Sequence, residues 1–185
     1  MAEKSGEKII AAEPLFDGSF LQAQKLTVLL PNGKTASREV TRHRGAVAIV
    51  PIWPDNAITL VRQFRPAINR ESVEIPAGLL NQKEEPIVAA KRELAEETGI
   101  HAKNWHYLAT IASSPGFSDE TVTLYAATDL TNGETHFDED EFLISERIPM
   151  ACVYKMILNG DICNASTVSA VLLACDKMRC GDICP

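Results

Sequence analysis

The chain has 185 residues, 45% of them hydrophobic, and a formal net charge of -7. Those totals suit one globular domain with a small accessory piece, and they exclude a nucleic-acid binder built on a basic stripe. The opening MAEKSGEKIIAAEP lacks an apolar signal core and no later run reaches membrane-spanning length, so a cytoplasmic protein with neither nucleic-acid nor membrane partners is expected.

Residues 1–13 read as a frayed start. Leu26 to Leu30 is apolar and β-prone, Pro31-Asn32-Gly33-Lys34 is a turn, and Thr35 to Thr41 returns. Asn-Gly between two such runs signals a hairpin, and residues 14–41 are expected to form a small sheet whose apolar face a partner subunit completes. Strands follow at Gly45–Ile52, Ala57–Phe64 and Ser72–Ile75, the last running into a Pro76-Ala77-Gly78 loop. After a helix come strands at Trp105–Ser113, Val122–Thr128 and Phe142–Ile148, then helices from Pro149 to Leu158 and from Ser166 to Met178. Hairpin, strands, helix, strands, helices is the order of a mixed sheet with helices against it, not of a doubly wound parallel sheet.

Several chemistries have no carrier. There is no glycine-rich phosphate loop, no serine in an elbow sequence, and the histidines at 43, 101, 106 and 136 read as ordinary loop or strand residues. The five cysteines, 152, 163, 175, 180 and 184, crowd the last third, which is neither a secreted disulfide framework nor zinc-knuckle spacing. The tail CGDICP is expected to be disordered.

The informative stretch is Gly78 to Ile100, GLLNQKEEPIVAAKRELAEETGI. Residues 85–98 read as a helix: Pro86 suits its first turn, Ile87, Ala90 and Leu94 form an apolar stripe, and Gly99 ends it. Glu93 and Glu97 fall one turn apart on one face, which suits a shared divalent cation; Arg92 and Glu96 repeat the offset. A solvated, salt-bridged face is the bland alternative. It accounts poorly for acids bunched at the C-terminal end, where the helix dipole disfavours them and a bound cation would compensate.

With Gly78, Glu84, Arg92, Glu93, Leu94, Glu96, Glu97, Gly99 and Ile100 all in place, this stretch resembles the Nudix hydrolase signature. The resemblance implies an α+β fold, an α/β/α sandwich in which a mixed β-sheet lies between helices, with a small N-terminal antiparallel sheet. It also implies Mg2+- or Mn2+-dependent attack of water on X-linked nucleoside diphosphates. Metal would be held by Glu93, Glu97, Glu96 and the carbonyl of Ala77, with Gly78 and Arg92 structural.

Beyond that box the chain is similar to the ADP-ribose pyrophosphatase branch through Arg38-Glu39-Val40, Val61-Arg62-Gln63-Phe64-Arg65, Glu74-Ile75-Pro76-Ala77-Gly78, Ser114 to Glu120 and Gly160 to Ala165. Pro115 is that branch's marker, and the branch forms homodimers with exchanged N-terminal sheets. Residues 1–41 are accordingly expected to be the exchanged sheet region and 42–185 the hydrolase domain. The implied reaction is hydrolysis of ADP-ribose to AMP and ribose 5-phosphate. Glu139 or Glu141, in the loop Asp138-Glu139-Asp140-Glu141, would act as base or orient water, with Glu120 the rival. Arg65, then Arg62, would contact the diphosphate; Arg42 or Arg44 would approach the adenine or terminal ribose. Phe16 and Phe20 are read first as core residues, with stacking on adenine the alternative, and Phe117 or Ser118 would serve the ribose-phosphate side. The competing readings are a nucleotide-sugar pyrophosphatase of other specificity and a non-catalytic module that binds ADP-ribose.

Overall fold

A computed structural model describes residues 6–18, 21–134 and 143–185. The chain divides into two compact units, the described residues up to Arg44 with Ala112–Thr121, and Gly45–Ile111 with Val122–Pro185. The first unit therefore extends past residue 41 and takes in a distant loop as well.

The first unit is a three-stranded antiparallel sheet, β1 (Lys8–Asp17), β2 (Gln22–Leu29) and β3 (Thr35–Arg42), in that order. The β2–β3 turn closes with Leu30 N–H donating to Lys34 O at 2.8 Å, and Gly33 takes φ +79°, the left-handed conformation that the Asn-Gly pair signalled. The frayed start is corrected at residues 8–13, which belong to β1. Register shifts at Ile9/Ala11 and Pro14/Phe16 let an edge strand carry a proline, and every β1 residue is exposed, so no buried alternation marks it in sequence. Loop 112–121 joins this unit through Thr41 N–H, which donates to Phe117 O at 2.7 Å.

The second unit contains β4 (Ala46–Pro51), β5 (Ala57–Arg65), β6 (Arg70–Glu74), β7 (Ala77–Leu79), α1 (Pro86–Thr98), β8 (Ile100–Ala112), β9 (Thr121–Asn132), β10 (Ile144–Pro149), α2 (Met150–Asn159) and α3 (Ala165–Cys180). One sheet runs β10-β5-β6; the other runs β7-β4-β9-β8, mixed because β4 pairs parallel with β9 and antiparallel with β7. Strand alternation builds the layers. Val47 and Ile49 of β4 pack in one core with Ala89, Ala90 and Leu94 of α1; Ala48, Val50 and Ile52 pack in another with Val153 of α2 and Ala170, Val171 and Ala174 of α3. Sheet between helices is the α/β/α arrangement expected.

Residues 77–79 form a strand, β7, where a loop was expected, because β4 offers them an edge through Ala48↔Ala77 and Val47↔Gly78. β8 starts at Ile100, directly after the helix. The tail is also ordered: Gly181 ends α3 in the left-handed conformation, Asp182 N–H donates to Lys177 O, and Ile183 is buried in the core. No helix among the described residues is long and apolar enough to cross a membrane.

Candidate active site

Pairing of β7 with β4 sets Ala77 and Gly78 beside α1. A β-carbon on Gly78 would lie 2.0 Å from Cδ of Glu93, so the Glu93 carboxylate occupies the space that the missing side chain leaves. One helical turn on, Glu97 accepts a hydrogen bond from Ala77 N–H at 3.1 Å. Both acids are buried, Glu93 9% and Glu97 3% exposed. Two carboxylates on one helical face thus converge on one dipeptide of a neighbouring strand.

Arg92 ties this stretch together. Its Nε–H and one Nη–H fork onto the Glu84 carboxylate at 3.0 and 2.9 Å. It also donates to Leu79 O at 3.0 Å, Glu93 at 2.7 Å and Glu96 at 3.0 Å. The guanidinium and the Asn81 N–H together depress the Glu84 pKa to about 2. Glu84 in turn raises that of Arg92 against the opposing effect of burial, with Glu93 and Glu96 adding to it. Three carboxylates, Glu84, Glu93 and Glu96, therefore sit around one guanidinium, with Glu97 one turn further along a helix whose last turn holds no lysine, arginine or histidine. Such a site suits added positive charge.

An oxygen-only donor set fits a hard dication such as Mg2+, which takes one or two carboxylates and completes its shell with water and substrate phosphate. No trio of His, Cys, Asp or Glu among the described residues forms a preformed cage. Glu96, expected as a third ligand, is engaged with Arg92 and half-exposed.

The strand faces separate the two candidate arginines. On β5, Thr59 bonds the indole N–H of Trp53, a residue packed on the α1-side core; Val61, Gln63 and Arg65 continue that face, while Arg62 lies on the other. Arg65 forks onto Glu74, Nε to Oε1 at 3.0 Å and Nη2 to Oε2 at 2.7 Å, and Glu74 is 3% exposed. Among the described residues, Arg62 makes long contacts, 3.8 Å to Glu71 and 3.7 Å to Glu146.

Arg42, Arg44, Pro115, Phe117, Ser118 and Glu120 all belong to the first unit. Arg42 bonds Asp119 at 3.0 Å and Gln24 at 3.0 Å. Burial acts to raise the Asp119 pKa, but the Arg42 guanidinium and the His43 N–H outweigh it and lower it. Glu120 accepts from Ser113 and meets His43 Nε2 at 3.4 Å. Phe117 is exposed. Phe20, Glu139 and Glu141 lie outside the described residues. Two partners of the candidate arginines have no role in the sequence reading: Glu74, noted within the EIPAG run, and Asp119, which meets Arg42 and His43 from far along the chain.

A family model described as NUDIX domain matches residues 42–153, more than half of the chain. The chain is 38% identical to an ADP-ribose pyrophosphatase of Bacillus subtilis over 89% of this chain and 90% of that one. It is also 38% identical to an ADP-ribose pyrophosphatase of Mycobacterium tuberculosis, over 93% and 84% of the two chains. A methanol dehydrogenase activator of Bacillus methanolicus is 41% identical over 89% and 90%. Among solved structures, an ADP compounds hydrolase superposes with a TM-score of 0.85 at 26% identity over 95% of each chain. With the box intact in sequence and folded as a strand-loop-helix, these matches establish that the chain belongs to the Nudix family.

Proposed function

We propose that this Nudix hydrolase cleaves the pyrophosphate of ADP-ribose, giving AMP and ribose 5-phosphate. The observation that carries the reading is the convergence of buried Glu93 and Glu97 on Ala77-Gly78, in a chain whose near full-length relatives include two ADP-ribose pyrophosphatases. Mg2+ or Mn2+ would be held by Glu93 and Glu97 with the Ala77 carbonyl, and Glu96 would join from its place against Arg92. When bound, the metal would neutralise pyrophosphate charge and make water a stronger nucleophile.

The protein's own groups do the rest. Arg92 braces loop 79–84 against α1 through Glu84 and the Leu79 carbonyl, fixing where Glu93 and Glu97 point. Arg65, on the α1-side face of β5, binds the diphosphate through charge-assisted N–H donors. The water-activating base falls to Glu139 or Glu141. The working form is a cytoplasmic homodimer, a reading supported by the exposed Ile9, Ile10, Leu15 and Phe16 of β1, which a second copy would cover.

The test is a substrate panel with Mg2+ or Mn2+: ADP-ribose, ADP-glucose, GDP-mannose, NADH, diadenosine polyphosphates and dNTPs, with AMP and ribose 5-phosphate quantified. ADP-ribose should give the highest kcat/KM. Preference for dNTPs, or no turnover of any diphosphate, would overturn the reading.

A further inference from the structure

We infer that Glu74 is a positioning residue for the reaction: it holds the Arg65 guanidinium in the orientation that receives the substrate diphosphate. The inference rests on the proposed role of Arg65. Its structural basis is independent. Among the described residues of the second unit, Glu74 is one of three buried glutamates, with Glu93 and Glu97, and it lies outside the α1 helix that carries the other two. It sits at the end of β6, three residues before the Ala77 that binds Glu97, and its carboxylate receives both Nε and Nη2 of Arg65. A fork of this kind fixes the plane of the guanidinium as well as its position, which a single contact does not.

The backbone around Glu74 is equally fixed. β6 pairs with β5 from Arg65↔Arg70 to Val61↔Glu74, so the Arg65 side chain must lie back along the strand to reach its partner. Ile75 N–H, next in the chain, donates to Thr167 Oγ1 at 3.1 Å, and Thr167 is itself bonded to Asn164, the N-cap of α3. Glu74 is therefore a rigid, desolvated anchor, and Arg65 is a long side chain with 43% of its surface exposed and one end clamped. Left unclamped, such a side chain would lose rotamer entropy each time it engaged a diphosphate.

Charge alone makes the opposite demand. A carboxylate beside the residue that binds a polyanion repels that anion, and removing its charge should tighten binding if nothing else changed. Keeping a buried carboxylate there is intelligible if orientation is worth more than the repulsion. The sign of the effect of Glu74→Gln on substrate affinity therefore separates the two roles.

The experiment compares wild type, Glu74→Gln, Glu74→Asp, Arg65→Ala and the Glu74→Gln/Arg65→Ala double variant. Steady-state kinetics on ADP-ribose, calorimetric titration with ADP and thermal melts are measured for each. Positioning requires that Glu74→Gln raise KM for ADP-ribose and Kd for ADP at least about tenfold, with kcat changed less than about threefold and Glu74→Asp in between. It further requires that Glu74→Gln change neither quantity by more than about twofold once Arg65 is alanine. A KM or Kd that falls or stays put in Glu74→Gln, or a loss that persists in the Arg65→Ala background, overturns the inference. If Glu74→Gln does not fold, Arg65→Lys, which keeps the charge without the fork, must raise Kd for ADP about tenfold, and an unchanged Kd overturns it. Wild-type protein that binds ADP with this coupling but does not turn over ADP-ribose would overturn the proposed function while sustaining the pairing.

Discussion

The Glu93 carboxylate lies where the β-carbon of any residue but glycine at position 78 would be, with both of its oxygens 2.2 Å from that point. Gly78 is thus defined by an absence of volume rather than by a left-handed backbone, and it lets a helix carboxylate lie flat against strand β7. Gly78→Ala should push Glu93 out of register at a cost of about 1–3 kcal/mol, the range for forcing one methyl into packed space. Because the displaced group is a proposed metal ligand, kcat/KM should drop by about a hundredfold or more. Kinetics with a melt of the same sample checks both, and a variant with wild-type kcat/KM would remove the cradle from the chemistry.

Glu97 makes a cleaner probe, since Gln can still accept the Ala77 N–H while losing its charge. Glu97→Gln should keep the fold and lower turnover at least about a hundredfold. A ligand that binds only the native state stabilises it by mass action, so Mg2+ at about a hundred times its Kd should raise the wild-type melting temperature by roughly 5–10 °C. Glu97→Gln should lose most of that rise. Calorimetric melts with Mg2+ and with chelator decide it, and an equal rise in both proteins would place the metal elsewhere.

How much of this was legible in the sequence follows from the range of the interactions involved. Helix α1 was plain, because Pro86 at its start, Gly99 at its end and the Leu94 stripe are local signals. Strand β1 was not, since none of its residues is buried and Pro14 interrupts it. β7 looked like loop because Pro76 and Gly78 flank Ala77, and only its pairing with β4 makes it a strand. The carboxylates of α1 could be named from their spacing, yet the anchors that hold them, Ala77 N–H and the space at Gly78, come from another element. Glu74 shows the same limit: its bond to Arg65 is a product of β5–β6 register, which no local pattern announces.

The C-terminal tail offers a test of stability alone. Ile183 follows the turn at Gly181 and Asp182 and is 2% exposed, packed in the core that contains Val171 and Ala174 of α3. Ile183→Ala should cost about 2–5 kcal/mol, the usual range for emptying a buried aliphatic site. Since the tail contributes no group to the proposed chemistry, kcat and KM at 25 °C should be unchanged. Denaturant titration gives the first quantity and kinetics the second; a cost under about 0.5 kcal/mol would mean that the tail is not part of the core.

Strand β1 carries its own expectation. Ile9, Ile10, Leu15 and Phe16 are each more than half exposed on an edge strand, an arrangement that invites a second copy. Light scattering should report a homodimer at micromolar protein, and the pair Ile10→Glu/Phe16→Glu should shift it toward monomer. A wild-type monomer at the highest soluble concentration would sink the idea.

Acid should act through the Glu84–Arg92 fork. Glu84 has a folded pKa of about 2 against an ordinary 4.5, depressed first by the Arg92 hydrogen bonds and next by the Asn81 N–H. For a carboxylate with a depressed folded value, the stabilisation is fully present above the ordinary pKa and is lost as pH falls through the folded one. The stability advantage of wild type over Glu84→Gln should therefore be constant from neutral pH down to about 5, shrink between about 4.5 and 2, and vanish below. Arg92→Ala, which removes the cause of the shift, should show a much flatter profile over that window. Denaturant midpoints at a series of pH values, taken in chelator so that metal does not intervene, supply the curves. A wild-type advantage that survived unchanged at pH 2 would mean that Glu84 is held by something other than its charge.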